Sequence, residues 1–563
     1  MKYFISIFLV FWFNFIYSDT TITAFSNVHQ FFGNSGNNRT LIENVEFPLS
    51  NDGYSEIIMN ISLECPNGGC DPWDRKANIS IKQFGNWYEI GRYVTPYGIG
   101  CGWSYNVTDY RSILKGSVEI KSYIDTWVEP GWLVTVDFTF ITGTPFTPNT
   151  IVRNIWNSEY IVYGDETNPP NIPTVQEYIP NDAQYVKLRI TTTGHGQGNT
   201  DNAAEFSYKN HEIIINDENS VIHDFWRDDC EFNQCSPQFG TWQYDRAGFC
   251  PGDKVLYQDF DLNNLLPTGQ ISSLDYVLDD YFNECSPNNS NCIDGQTCSD
   301  CDYNYNGHTE PFYFISSHLI IYSENYHSNA DNYVYLQEQD SLIDELQVTL
   351  ENYVPVYGIQ FSINTEFLQG FNISDLEFIS ASGGRAHEFE WTFSINNQGT
   401  LIGLAQNLGT PLPPGEGILT NIVWNGNDIE NLSGQIGISN VEISGNFGTE
   451  LSYEIGKDIL FNSNLKVDSE SKIIVNDYIL FDPYPNPFNP VVQIKYEILK
   501  PGEFSILIFD LKGNLIETVI DDDFHNPGLH SARWSGHYKS SGVYFIVLRS
   551  SQSEAIKKVI LLK

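Results

Sequence analysis

Residues 132–143 read WLVTVDFTFITG. Val134, Val136, Phe138 and Phe140 fall on alternate positions with polar residues between them, which is the period of a half-buried strand. Working outward, YVKLRI at 185–190 repeats the pattern with Val186, Leu188 and Ile190. HEIIIND at 211–217 and FYFISSHLIIYS at 312–323 are further strand candidates. Gly, Pro and Asn bound most of these runs, and helix signals are scarce. The fold class expected is all-β, built of sandwiches.

At 563 residues the chain exceeds one core, so roughly three to five domains are expected. Residues 1–18 read as a signal peptide: Lys2 opens it, Ile5 to Ile16 are mostly apolar, and Ser18 precedes the cut. No later stretch reaches ~18 uninterrupted apolar residues, so no membrane insertion is expected after signal removal. The net charge of −42, from 29 basic and 71 acidic residues, disfavours nucleic acid and anionic membranes as partners. Ten cysteines, all before residue 302, favour disulfides in an exported chain.

Composition shifts divide the rest. A first β domain spans 19–145 and closes on GTPFTPNT. A second, 150–325, contains the Pro-rich ETNPPNIPT and ends with the cysteines. A Cys-free segment covers 330–463, NSNLKVDSESK at 462–472 reads as a linker, and a last module covers 477–563.

CDPWDRKANI, from Cys70, sets Asp, Trp, Asp and Arg beside a tight Cys-x4-Cys loop. Asp and Arg are costly to bury unless they pair or are used. The wider stretch ECPNGGCDPWDRKANI resembles the peptide-N-glycosidase F family, as do WYEIGRYVTPYG and VTDYRSILKGSVEIKSYIDTW. In family order there follow VDFTFITGTP, GHG, AAEF, HEIIIND, GTWQYDRAGFCPG and FYFISS, so the resemblance covers about residues 45–322. It implies two packed antiparallel jelly rolls with an active site between them. It also implies a secreted amidase that cleaves the glycosylamine–asparagine bond of N-glycosylated proteins or glycopeptides, without a cofactor.

The resemblance puts the principal catalytic carboxylate at Asp74 and a second acid at Glu205, with Asp125 where the family usually has Glu. It implies substrate-binding roles for Arg75, Arg246, Trp73, Trp127 and His195. Cys65 and Cys70 match a family disulfide, and Cys250 is expected to pair with Cys230, with Cys235 the alternative. Amide hydrolysis suits these residue types. A base directs water at the carbonyl carbon and an acid protonates the departing nitrogen, and two close carboxylates divide those roles by moving their pKa values apart. There are departures. The family's C-A-E-W-C has Ala203, Phe206 and Ser207 here, a Trp before the GH pair is Thr193, and Cys101 lies in an altered loop.

No metal site is expected. The mature chain has one Met, Met59, no His-x-His, and isolated His195, His211 and His223, which disfavours copper. DYNYNG at 302–307 lacks the twelfth-position Glu of a calcium loop and reads as a turn. VYGIQFSI and ILTNIVW weakly resemble cohesin-like sandwiches, an adhesion or spacer domain. YPNPFNPVVQIKYEI, FSILIFDLKGNLI and GVYFIVL resemble the C-terminal sorting domain of type IX secretion, a small Ig-like sandwich, which implies that secretion machinery as a partner and a secreted or cell-surface address. The alternative to the enzyme is a non-catalytic glycan-binding or adhesion protein on the same double jelly roll.

Overall fold

The computed structural model describes residues 19–51, 53–147, 149–286, 288–289, 291, 301, 310–337, 345–367, 378–405, 410–424, 433–462, 478–481, 483, 485–498, 501–510, 514–525, 528–550 and 554–563. The signal peptide, the DYNYNG turn, Cys292, Cys298 and nearly all of the 462–472 linker lie outside the described residues. The chain forms two compact units, Met1–Leu465 and Lys466–Lys563.

The fold is all-β. Among the described residues the one α-helix is the five-residue Gly384–Glu388, and no helix is long and apolar enough to cross a membrane. In the first jelly roll, one sheet runs Thr20–Gln30, Trp132–Thr142, Tyr54–Glu64, Cys101–Asn106. Its partner runs Asp253–Lys254, Asn86–Val94, Lys76–Gln83, Ser117–Ile124, Thr40–Glu46. The alternation at 132–143 is realised in full: Trp132, Val134, Val136, Phe138 and Phe140 are all 0% exposed. Phe138 meets Phe47 edge-on at 5.1 Å in the core between the sheets. Asp253–Lys254, far along the chain, pairs with Asn86–Val94 and so extends this sheet from the next domain.

The second jelly roll stacks Asn149–Val162, Phe312–Ser323, Ala183–His195, Gln258–Asp261 on Val175–Ile179, Gln270–Leu278, His211–Ile215, Asn219–His223. Phe312–Ser323 is buried on both faces over most of its length, which explains why its sequence is a nearly continuous apolar run rather than an alternation. Its odd face (Tyr313, Ile315, Leu319, Ile321) enters the roll's own core. Its other face meets the first roll, where the Tyr110 hydroxyl and His318 Nδ1 lie 3.0 Å apart. Arg92 Nη1 donates to the Phe314 carbonyl at 3.0 Å. Across the same interface Asp109 takes Lys187 at 2.8 Å and Arg189 at 2.7 Å. Although burial alone would raise its pKa, those two cations hold the Asp109 carboxyl below the ordinary range.

Two five-stranded sheets follow in the third sandwich. One is Phe378–Ser382, Gly415–Trp424, Glu345–Asn352, Asn332–Leu336, Tyr453–Ile455, and the other Trp391–Ile395, Thr400–Ala405, Gly358–Phe367, Ser433–Ser444, Ile459–Asn462. The C-terminal unit is a smaller sandwich with three and four strands per sheet, closed around Trp534, Phe488 and Tyr496.

Phe138→Ala removes a fully buried ring from the first core. The expected loss of unfolding free energy is about 3–5 kcal/mol, measurable by denaturant titration of the 132–143 strand's domain.

Candidate active site

Within CDPWDR the buried ion pair forms at Asp71. Its carboxylate is fully buried. It accepts from Arg75 Nε at 2.7 Å, the Trp73 amide at 2.9 Å and the Thr126 hydroxyl at 2.7 Å. Arg75 is therefore committed to Asp71 rather than to Asp74, although it does line the cleft. The tight 71–75 turn, entered directly after the Cys65–Cys70 disulfide, leaves Asp74 on the cleft wall.

Glu205 reaches the same cleft from the second roll. The loop before it is strained: Asp201, Asn202 and Ala204 have φ of 61°, 49° and 66°. Gly194 is required beneath it, because a Cβ there would lie 1.7 Å from the Ala204 carbonyl oxygen. Gly196, at φ +117°, donates its N–H to Glu205 Oε2 at 3.1 Å. The Ala247 amide donates to the Glu205 carbonyl at 2.9 Å. The loop is further tied by Gly198 N–H to Asn202 Oδ1 at 2.8 Å and Phe206 N–H to Asn202 O at 3.0 Å.

Arg246 joins the two acids. It is 2% exposed, and its Nη1 donates to Glu205 Oε1. Its Nη2 donates to the Thr241 carbonyl at 2.8 Å and hydroxyl at 2.9 Å. Phe206 and Phe249 flank the guanidinium, 4.7 and 5.4 Å from their centroids. Burial pushes the Glu205 carboxyl up to about 7, against the pull of Arg246, and the charge of Asp74 adds to the rise. Burial also raises Asp74, against Arg246 and a hydrogen bond from Tyr97. Tyr97 itself is pushed up to about 12 by burial and by Asp74, so it stays a protonated donor.

The cleft encloses about 500 Å³ and draws its walls from both rolls. Trp73, Asp125 and His195 line it too. Asp125 accepts from the Tyr123 hydroxyl at 2.9 Å and pairs with Arg39 at 3.4 Å. Trp127 is not among the lining residues. It is 54% exposed, with the Arg39 guanidinium 4.3 Å over its ring. His195 is sandwiched at 5.0 Å by Phe249 and 5.4 Å by Phe312, and burial holds its pKa well below the imidazole range. Thr193 Oγ1 accepts from Arg92 at 3.2 Å and lies 3.0 Å from His195 Nε2.

Asp71, Tyr97 and Arg39 escaped the sequence reading. Asp71 and Tyr97 lie inside stretches quoted for the resemblance, whereas Arg39 has no local signal. His211 and His223, isolated in sequence, face one another across paired strands. His223 lies 2.7 Å from Gln258 Oε1 and His211 2.6 Å from the Tyr276 hydroxyl.

Residues 163–296 match the family described as "Peptide-N-glycosidase F, C terminal", and residues 483–562 the "Secretion system C-terminal sorting domain". A curated relative, peptide-N(4)-(N-acetyl-beta-D-glucosaminyl)asparagine amidase F of Elizabethkingia miricola, is 34% identical over 278 residues, 46% of this chain and 78% of that protein. The chain belongs to the peptide-N-glycosidase F family. At family level it is therefore a hydrolase, a deglycosylating amidase. Among solved structures, PNGase F from Flavobacterium meningosepticum is 30% identical, with 55% of this chain and 98% of that one covered and a TM-score of 0.48. PNGF-II is 16% identical, with 55% and 66% covered and a TM-score of 0.42. The C-terminal sorting domain marks the chain for type IX secretion.

In this member of the peptide-N-glycosidase F family, Thr193 is fully buried beneath the cleft, tied to Arg92 and His195. The Glu205 loop is held by backbone bonds and by close approach at Gly194. Cys230 pairs with Cys250, and Cys285 with Cys301. Cys235, the alternative partner of Cys250, instead joins Cys101 of the first roll across 134 residues.

Glu205 has an ordinary value of 4.5 and stands near 7 in the fold. The native state thus holds this proton where the unfolded chain has lost it, and stability falls as pH rises through that window. In melting curves, the wild type is expected to lose stability relative to Glu205→Gln between about pH 4.5 and 7, and to show no further divergence from this group above it.

Proposed function

We propose that the protein hydrolyses the amide joining the first sugar of an N-linked glycan to asparagine, on exported glycoproteins or glycopeptides. The observation that carries this is the meeting of Asp74 and Glu205, from separate sandwiches, in one cleft around Arg246. In this reading residues 19–145 and 150–325 are the hydrolase. Residues 330–463 are a spacer and 477–563 the export module.

Asp74 acts at the scissile amide and Glu205 orients water and substrate polar groups. Arg246 allows one negative charge on the pair to persist, and the pair's remaining proton is shared by groups whose pKa values are both raised by burial. Water adds to the amide carbonyl carbon and loses a proton to the carboxylate. The tetrahedral oxyanion is stabilised by the nearby guanidinium. Cleavage of the C–N bond sends a proton to the departing nitrogen, and the products are an aspartate side chain and a glycosylamine. Tyr97 holds Asp74 in place as a permanent donor. Trp73, 59% exposed at the mouth, offers a ring face to sugar.

Asp74→Asn keeps the side chain's shape and removes its basicity. Glycan release is expected to fall by about 10²-fold or more with an unchanged melting curve. Mass spectrometry of an N-glycopeptide after incubation reads the result: release leaves Asp in place of Asn. Full activity in the variant sinks the assignment, and an intact but retained glycopeptide with wild-type protein identifies a binder instead.

A further inference from the structure

Where the second jelly roll meets the third sandwich there is a cavity of about 850 Å³. Glu351 and Glu416 line it and sit directly opposite each other on adjacent antiparallel strands. Like charges in that register repel. Asp182 adds a third carboxylate from the second roll. His327 lies among them, its Nδ1 2.8 Å from Glu351 Oε1 and its Nε2 2.7 Å from Asp182 Oδ1. One ligand atom from each of His327, Glu351 and Glu416 falls within 4.8 Å of the others. His327 is 7% and Glu351 4% exposed, so this is not a solvated surface patch.

Each of the three has an outer partner. Asp182 takes His327 Nε2, the Tyr353 hydroxyl donates to Glu351 Oε1, and the Asn181 amide donates to Glu416 Oε1. Thr349, 5% exposed and on the same face of the strand as Glu351, also lines the cavity. The other charges facing the cavity are Lys457 and Asp458. Arg385, close to Glu416, spends its donors on Leu350 O, Asn352 Oδ1 and Pro413 O. Three carboxylates around one imidazole leave a surplus of negative charge of the size a divalent ion cancels.

We propose that His327, Glu351 and Glu416 form a zinc site that ties the third sandwich to the second jelly roll. One imidazole nitrogen with two carboxylates is a donor set for zinc rather than for calcium or magnesium, which take oxygen alone. With Nε2–H donating to Asp182, the Nδ1 lone pair faces the glutamates, as in carboxylate–histidine–zinc arrangements. Two ligands about 2.0–2.1 Å from one tetrahedral ion stand about 3.3 Å apart, so the 2.8 Å between Nδ1 and Oε1 opens by about half an ångström to admit zinc. No motif announces the site, because its members come from three distant strands and connections.

The full chain, stripped with a chelator and dialysed, is titrated calorimetrically with zinc chloride alone and, separately, with calcium chloride. Wild type is expected to bind about one zinc at this site, and Glu416→Gln to weaken that binding at least tenfold. Zinc should raise the wild-type melting temperature and leave the variant's nearly unmoved. Glu416 is only half-buried, so its amide should preserve the fold, which circular dichroism checks, and His327→Gln provides a second variant with the same expected loss. Equal zinc binding by wild type and folded variants overturns the proposal. So does calcium binding as tight as zinc. Absence of zinc binding in wild type also overturns it, and identifies His327 as an imidazolium held between two carboxylates.

Discussion

A guanidinium sealed from water must be neutralised where it stands. Arg246 is such a group, 2% exposed between aromatic rings. Glu205 answers it directly and Asp74 from across the cleft. One cation shared by two buried acids leaves the pair with one charge too many. Burial lifts both carboxyls and, with the charge of Asp74 adding to it, places Glu205 near 7. The chemistry of the site therefore depends on a charge balance that neither jelly roll contains alone.

The rest of the double roll serves to keep the two halves of that balance in register. Asp253–Lys254 extends the first roll's sheet. Cys101–Cys235 crosses between the rolls, closing a loop of 134 residues, long enough for a chain-entropy contribution of about 4–5 kcal/mol. Arg92 reaches from the first roll to Phe314 and Thr193 of the second. Asp109 binds Lys187 and Arg189. Each tie crosses the same interface, and the cleft opens at its edge.

Much of this was legible in the chain. Strand periodicity at 132–143 predicted an all-β fold because burial on one face demands alternation. Ordered motifs singled out Asp74 and Glu205. Arg75 lines the cleft as expected from its stretch, but it grips Asp71, four residues back, rather than its neighbour Asp74, and only the turn between them decides that. Thr193 stands where the family has a Trp, and its side chain is fully buried, because strand direction at a given residue is set by pairing with Phe312–Ser323. Trp127 packs under the guanidinium of Arg39, which lies far from it in the chain.

What the sequence determined by itself is whatever a local period or a short motif encodes: strands, turns and the export module, with Asp74 and Glu205 picked out as candidate acids. Burial period and turn chemistry act over a few residues, so they survive in one dimension. Tertiary structure alone decided which charges meet: Arg75 with Asp71, Arg39 with Asp125, Arg246 with Glu205, and His327 with carboxylates from two modules. Electrostatic partnership depends on distance in space and on exclusion of water, and neither quantity exists until separate sheets have packed.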